Sequence, residues 1–199
     1  NYQEGRKQKT VSRTSSTNIG LSLLAVISSY DLGFITLEKT IELLKKILET
    51  IISLEKWNGH LYNWYDTITK KPLIPRYIST VDSGNFVGYL YTTKTFLEQS
   101  NLPDLEFYIN YIDTMINETD FSLFYDKEKQ IFSIGYNIEE NKLTDSYYDL
   151  LASEARQASL VAIAKKDVPA KHWNKLSRTL TILGKYKGLI SWSGTSFEY

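Results

Sequence analysis

Two carboxylates stand in sequence surroundings that suit opposite halves of acid–base chemistry. The first is Glu154, in the string "ASEAR". On a helix it would share a face with small and apolar neighbours, where partial desolvation raises a carboxyl pKa as a general acid requires. That face holds Tyr147, Leu150, Gln157 and Val161, with alanines at 152, 155, 158 and 162. The alternative is an ion pair of Glu154 with Arg156 or Arg13.

The second carboxylate is Asp82, in "STVDSGN". At a helix N-cap its oxygens would accept from backbone amides, and the helix dipole would keep it charged. A charged Asp82 opposite a protonated Glu154 would be a base and acid pair. The alternative role of Asp82 is that of a helix cap alone.

A ring-rich segment, residues 59–85, leads into the helix of Asp82 and includes its first residues. Aromatic faces with polar neighbours match the apolar faces and polar edges of sugar rings, so the segment is interpreted as a saccharide-binding wall. The alternative is that the rings plug the core. The aromatic residues are Tyr62, Trp64 and Tyr65, with Trp57 just before the segment, and they are interleaved with His60, Asn63, Asp66 and Arg76.

Other chemistries find little support. His60 and His172 are too few and too scattered for a metal site, and no cofactor is predicted. The chain has no cysteine, which excludes disulfides and thiol nucleophiles. It has no glycine-rich phosphate loop, and "SWSGTS" lacks the frame of a nucleophile elbow. With 23 basic and 23 acidic side chains, nucleic acid is not an expected partner.

Length and composition indicate one domain over residues 1–199. Hydrophobic residues make up 42% of the 199, enough for a core, and fifteen tyrosines contribute to an aromatic content of 14%. No apolar run reaches transmembrane length, so the segment is expected to be soluble without membrane contact.

Helical periodicity and caps predict a mainly α fold with one β-hairpin. Thr17 or Asn18 would cap the first helix, which Gly33 ends, and Thr36 would cap the second. The predicted helices are Thr17–Tyr30, Thr36–Lys56, Asp82–Gln99, Leu102–Thr119, Ser146–Lys166 and Pro169–Leu183, with the hairpin in Phe121–Asn137 and no helix after Gly184. Such helices form three hairpins, about half of the six in an (α/α)6 barrel (toroid).

Several long strings resemble one bacterial family, the central glycoamylase-like domain of cyclic β-1,2-glucan synthases. That domain is similar to glycoside hydrolase families 144 and 189. The resemblance spans nearly the whole chain, in order. The strings are "RTSSTNIGL", "GHLYNWYDT", "PRYISTVDSGN", "FSIGYN", "DSYYDLLASEAR" and "VPAKHWNKLSR".

The resemblance implies an (α/α)6 barrel acting on β-1,2-glucan, by transglycosylation with ring closure or by hydrolysis. By motif, Glu154 is the general acid and Asp82 the second catalytic carboxylate. The expected substrate-binding residues also come from these motifs and from the C-terminal string "SFEY". They are His60, Tyr62, Trp64, Tyr65, Asp66, Arg76, Asn85, Tyr148, Arg156 and Glu198.

Family members continue past Tyr199 into helices that carry a further glutamate. The isolated chain is therefore expected to be inactive and to pair with the remaining half of the domain or with a second copy. In a membrane-anchored synthase it would lie on the cytoplasmic side of the inner membrane. The alternatives are a glucan-binding module without catalysis and a helical interaction module.

Overall fold

The computed structural model describes residues 2–3 and 9–199. Six α-helices are the main regular elements of this part of the chain, and the sheets are small, which confirms the predicted mainly helical class. They are α1 (Ser16–Asp31), α2 (Leu37–Ser53), α3 (Thr80–Gln99), α4 (Glu106–Glu118), α5 (Arg156–Lys165) and α6 (Lys171–Lys175). None of these helices is both long and apolar enough to cross a lipid bilayer.

The strands are short, and each sheet joins two or three of them in antiparallel register. Two 3₁₀ turns, at Pro103–Leu105 and Phe121–Phe124, accompany them. The strands are β1 (Tyr2–Gln3), β2 (Lys9–Thr10), β3 (Arg13–Thr14), β4 (Lys56–Trp57), β5 (His60–Leu61), β6 (Tyr65–Asp66), β7 (Tyr77–Ser79), β8 (Tyr125–Asp126), β9 (Ile131–Ser133), β10 (Gly135–Asn137), β11 (Lys142–Leu143), β12 (Tyr147–Tyr148), β13 (Leu180–Leu183) and β14 (Tyr186–Leu189).

Capping residues set the ends of the first two helices. Ser15 caps α1 by accepting from the Asn18 amide at 3.2 Å, so the prediction of Thr17 or Asn18 as the cap was wrong. Gly33 follows the end of α1 with φ +74°, a conformation that glycine adopts at little cost, and this confirms the predicted stop. Thr36 caps α2 as predicted.

Helix α3 is the central element and packs against α1, α4 and α5. Its N-cap is Ser79, which accepts from the backbone amide of Asp82 at 3.3 Å, so Asp82 is not the cap that the sequence indicated. Both residue types favour caps, and the serine comes first in the chain. Asp82 therefore lies in the first helical turn with its carboxylate free to point across to α1.

The fifth helix begins ten residues later than predicted, at Arg156 instead of Ser146. Pairing with other segments holds the preceding backbone extended: Tyr147 and Tyr148 pair with β9, and the Leu151 amide donates to Ser177 O at 3.0 Å. These tertiary hydrogen bonds override the helical preference of the alanines. Glu154 consequently precedes the helix, and the predicted stripe through Tyr147 and Leu150 does not exist.

The sixth helix is also shorter than predicted, because α6 ends at Lys175. Leu180–Leu183 forms β13 and pairs with β14, the two strands being joined by a turn in which Gly184 has φ +60°. The β-branched Thr181 and Ile182 favour this strand over a helix. The predicted hairpin after α4 is confirmed, with β8 and β9 antiparallel around a charged turn and β12 as a third strand.

Glycines allow α3 and α5 to approach closely. A Cβ atom at Gly84 would collide with the backbone and Cβ of Ala158, and one at Gly88 would collide with the Gln157 side chain. The Gly84 contact is with backbone, which cannot move aside. This close approach places residues of α3 beside the segment that carries Glu154.

We expect Gly84→Ala to lower the free energy of unfolding by about 1–3 kcal/mol, since an added methyl group has no space at the α3–α5 contact. The control is Gly188→Ala on β14, where a Cβ meets nothing within 4 Å and φ is not positive. Urea denaturation followed by circular dichroism measures both variants. Equal stability of the two variants would contradict the contact.

Candidate active site

Glu154 lies in the turn that leads into α5. The Ala155 amide donates to Ser153 Oγ at 3.2 Å, and the Gln157 amide donates to Glu154 O at 3.3 Å. The carboxyl group is partly buried. Asn85 of α3, only 2% exposed, donates from Nδ2 to Glu154 Oε1 at 2.7 Å. A buried amide therefore fixes the side chain of the proposed acid.

Thr17 of α1 links the two candidate carboxylates. Its hydroxyl donates to Asp82 Oδ1 at 2.6 Å, and its oxygen accepts from Asn85 Nδ2 at 3.2 Å. Asn85 in turn donates to Glu154. The structure therefore brings Glu154, Asp82 and Asn85 together, as the sequence analysis predicted, and it adds Thr17 between them.

The ring-rich segment joins this network at one residue. With the Asn63 amide oriented to satisfy both neighbours, its nitrogen donates to Asp82 Oδ2 at 3.2 Å and its oxygen accepts from Trp64 Nε1 at 3.3 Å. The Arg13 guanidinium lies 4.4 Å from the centroid of the Trp64 ring. Trp64 is thus linked to the Asp82 carboxylate through Asn63, and the Arg13 guanidinium lies over its ring.

The surroundings of Glu154 favour its protonated form. Burial raises its pKa above the ordinary 4.5, and the negative charges of Asp82 and Glu198 raise it further. The hydrogen bond from Asn85 acts in the opposite direction without reversing the shift. A carboxyl group that keeps its proton at higher pH is suited to general acid catalysis. Among the described residues, the ion pairs do not include Glu154.

Two tyrosines lie near both carboxylates. Burial raises the pKa of Tyr148 on β12, and the charges of Asp82 and Glu154 contribute. The pKa of Tyr89 on α3 is raised by burial and by the same two charges. Both phenols therefore remain protonated at neutral pH and can donate hydrogen bonds beside the carboxyl groups. Tyr148 was among the predicted site residues, whereas Tyr89 was not.

A cleft of about 470 Å³ opens in front of Glu154. It is large enough for one or two sugar rings and presents both aromatic and polar groups. Its lining comprises Asn85, Gly88, Tyr89, Tyr91, Ser153, Glu154, Arg156, Gln157, Leu160, Val161, Trp173 and Phe197. Tyr89, Tyr91, Trp173 and Phe197 supply the rings here, in place of the aromatic residues that the sequence analysis selected.

A spacing argument could have found Tyr89. Asp82, Asn85 and Tyr89 follow each other at three and four residues, which puts them on one face of α3. Trp173 and Phe197 carry no comparable signal, because tertiary folding brings α6 and the C-terminal segment to this cleft.

The C-terminal segment brings Glu198 near the cleft and contacts Arg156, the first residue of α5. Glu198, 7% exposed, accepts from the Ser193 amide at 2.9 Å and from the Thr195 amide at 3.2 Å. Burial raises its pKa, but the hydrogen bond from the Ser193 hydroxyl at 2.9 Å, together with those from the two amides, outweighs burial and holds the pKa at about 2. Arg156 donates from Nη2 to Tyr199 O at 3.1 Å. Glu198 thus organises a turn, while Arg156 lines the cleft.

Three residues of the predicted saccharide wall are sealed in the core. His60 is 1% exposed, contacts Ser83 Oγ at 3.0 Å and Asp120 O at 3.1 Å, and has its pKa lowered by burial to about 4. The Tyr65 hydroxyl donates to Glu55 O at 2.7 Å, and the Tyr62 hydroxyl donates to Glu55 Oε1 at 3.2 Å. The structure does not bring these rings to the cleft, and for them the alternative of core packing applies.

Asp66 and Arg76 also serve local structure. Asp66 accepts from the amides of Ile68 and Thr69 at 2.9 and 2.7 Å, which closes its own turn. Arg76 pairs with Glu139 at 2.9 Å. Neither residue lines the cleft of Glu154. No group of histidine and acidic side chains in residues 2–3 and 9–199 is arranged to hold a metal ion.

The described part of the chain shares its mainly helical fold with solved structures. The chain has the fold of an endo-β-1,2-glucanase from Chitinophaga pinensis, solved with sophorotriose and glucose, at a TM-score of 0.78 and 16% identity. It has the same fold as a candidate glucoamylase from Bacteroides caccae, at a TM-score of 0.76 and 17% identity. At these identities the likeness shows the fold.

In sequence, the chain is similar to the cyclic β-(1,2)-glucan synthase NdvB of Rhizobium meliloti. The two are 27% identical in an alignment that is 323 positions long and includes all of this chain. This match and the two structural matches confirm the resemblance inferred from the motifs. The whole chain corresponds to 11% of the synthase. The match to the glucanase covers 92% of this chain and 46% of the glucanase. The match to the candidate glucoamylase covers 93% of this chain and 47% of that protein, so this chain spans about half the length of each. No protein-family model matches the chain.

The stability of the chain should depend on pH through Glu154. Because its pKa is higher in the folded chain than in the unfolded one, Glu154 supports the fold at low pH, and this contribution is lost as pH rises through the folded pKa. We therefore expect Glu154→Gln to gain stability relative to the wild type as pH rises above about 4.5.

The matched control for this measurement is Glu139→Gln. The hydrogen bond from Arg76 lowers the Glu139 pKa, so its contribution is present above the unfolded pKa and is lost as pH falls. Urea titrations from pH 2 to 8 should show differences from the wild type that change in opposite directions, above about pH 4.5 for Glu154→Gln and below about pH 4.5 for Glu139→Gln. Parallel slopes would show that Glu154 is not held in a desolvated site.

Proposed function

We propose that this chain is part of a glycoside hydrolase or transglycosylase domain that acts on β-1,2-glucan, with Glu154 as the general acid. The observation that carries the proposal is the partly buried Glu154, held by Asn85 at 2.7 Å, with a raised pKa and an open cleft in front of it. The choice of glucan rests on the similarity to the synthase and the fold of the glucanase.

In this proposal the cleft binds glucose units against its aromatic rings. Tyr89 and Trp173 offer apolar faces to sugar C–H groups, and Asn85, Arg156 and Gln157 offer hydrogen bonds. Glu154 then protonates the oxygen of the scissile linkage as the bond between that oxygen and the anomeric carbon breaks, and water or an acceptor sugar hydroxyl bonds to that carbon and loses its proton to Asp82. Asp82 is the proposed second carboxylate, and its charge also helps Glu154 to keep its proton.

We further propose that the six helices form about half of an (α/α)6 toroid. The support is that the chain spans about half of the glucanase, in the same fold. Large apolar side chains at the cleft rim fit this arrangement, since Phe197 and Leu160 are 68% and 59% exposed and would be covered by further helices. The remaining helices, from a longer polypeptide or a second copy, complete the cleft, and the isolated chain has little or no turnover.

Glu154→Gln in a protein that carries the complete domain should lower turnover of β-1,2-glucan by about 10²–10⁴-fold, the range expected for loss of a general acid. Glucan affinity should change little, because the Gln oxygen still accepts from Asn85. Glu139→Gln is the control and should keep full activity. Chromatography measures both possible reactions: hydrolysis releases reducing sugar, and transglycosylation forms cyclic glucan. Retained turnover in Glu154→Gln would place the acid elsewhere and leave a glucan-binding or helical interaction module.

Binding by the cleft can be tested on the chain itself. Trp173→Ala should weaken binding of a β-1,2-linked glucose oligosaccharide by about tenfold, the effect of losing roughly 1.4 kcal/mol of apolar contact. Trp192→Ala is the matched control, because Trp192 is 60% exposed and does not line the cleft. Isothermal titration calorimetry measures the affinity of the wild type and of both variants. A β-1,3-linked oligosaccharide serves as the comparison ligand and should bind more weakly than the β-1,2-linked one. An equal loss of affinity in both variants would contradict the placement of the site.

A further inference from the structure

We infer that Thr17 is a positioning residue that locks the orientation of the Asn85 amide and so determines which oxygen of Glu154 carries the acid proton. This inference rests on the proposed role of Glu154 as the general acid. It concerns the threonine of α1, which the sequence analysis considered only as a helix cap. The reasoning starts from the single hydrogen of the Thr17 hydroxyl.

A threonine hydroxyl has one hydrogen to donate. At Thr17 that hydrogen goes to Asp82 Oδ1 at 2.6 Å, a short distance typical of a hydrogen bond to a carboxylate. The Thr17 oxygen can therefore only accept from Asn85, 3.2 Å away. Of the two polar atoms of the Asn85 amide, only the nitrogen can donate. The nitrogen must therefore face Thr17, and the amide oxygen must point elsewhere.

The same nitrogen carries the hydrogen bond to Glu154. One Nδ2 hydrogen of Asn85 serves Thr17, and the other serves Glu154 Oε1 at 2.7 Å. Glu154 Oε1 is thus held as an acceptor, and the proton of the neutral acid resides on Oε2. That oxygen is then free to donate its proton to a glycosidic oxygen.

Without the Thr17 hydroxyl, no hydrogen bond in this network prevents the Asn85 amide from rotating by about 180° and exchanging the positions of its nitrogen and oxygen. A reversed Asn85 would present its oxygen to Glu154 and accept the acid proton in a hydrogen bond. That arrangement stabilises the neutral acid and withholds its proton from the substrate. The arrangement in the structure instead stabilises the anion that remains after proton transfer.

The titratable groups around Glu154 come from four elements, and none of them is substituted in the variants below. They are Asp82 and Tyr89 from α3, Tyr148 from β12, Glu198 from the C-terminal segment, and Arg156 from the start of α5.

The test compares Thr17→Val with Thr17→Ser in the 199-residue chain, with no glucan present. Carbon-13 NMR of glutamate side chains, assigned through Glu154→Gln, follows the Glu154 titration. Thr17→Val removes the hydroxyl at nearly constant volume and should raise the pKa of Glu154 by about one unit, the scale of one hydrogen bond reversed. Thr17→Ser keeps the hydroxyl and should titrate as the wild type does. A role in packing alone would leave the pKa unmoved in Thr17→Val, and that result would overturn the inference.

A second measurement uses only the folded wild type. It can therefore test the inference even if Thr17→Val does not fold. The two Nδ2 hydrogens of Asn85 give separate signals in a proton–nitrogen spectrum. We expect one of them to shift with the midpoint of the Glu154 titration and to exchange slowly with water. If neither Asn85 signal shifts during the Glu154 titration, the Asn85 nitrogen does not face Glu154, and the inference is overturned. Because neither measurement uses glucan, the failure of this inference is distinguishable from the failure of the proposed function.

Discussion

The hydrogen bond from Asn85 to Glu154 is the interaction on which the site depends. It connects α3 to the turn before α5 and is sealed from water on the side of Asn85, where only 2% of the residue is exposed. A buried amide that lost this partner would cost the fold the penalty of an unsatisfied polar group, about 1–3 kcal/mol. Its geometry requires α3 and α5 to lie close together, which Gly84 permits. Packing of the helices and orientation of the carboxyl group are therefore parts of one constraint.

The two carboxylates differ in the way their surroundings treat them. Each oxygen of Asp82 accepts a hydrogen bond, from Thr17 and from Asn63, whereas Glu154 has one hydrogen bond and a partly buried position beside other negative charges. The contrast between a carboxylate with a hydrogen bond at each oxygen and a partly buried carboxyl group with one hydrogen bond is a common basis for dividing the roles of base and acid. The α1 residue Thr17 joins both groups, so the first helix contributes to the site as well as to the core.

Sequence reasoning worked where the deciding interactions are local. The amphipathic α2, the Thr36 cap, the stop at Gly33 and the hairpin after α4 follow from neighbours in the chain, and the structure confirms each. The motifs also led to Glu154, Asp82 and Asn85. Reasoning from the chain failed where distant segments decide: pairing of Tyr147 and Tyr148 with β9 prevented the early start of α5, and Glu154 became a turn residue. Composition alone could not separate Trp64, which joins the network, from Tyr62 and Tyr65, which pack in the core.

The most direct test of the central claim is a crystal structure of the complete domain, with Glu154→Gln, bound to a β-1,2-linked glucose oligosaccharide. The account predicts sugar rings along Tyr89 and Trp173, with a glycosidic oxygen about 2.6–3.2 Å from the side-chain atom that replaces Glu154 Oε2. An oligosaccharide bound elsewhere, or one whose linkage lies beyond the reach of residue 154, would contradict it.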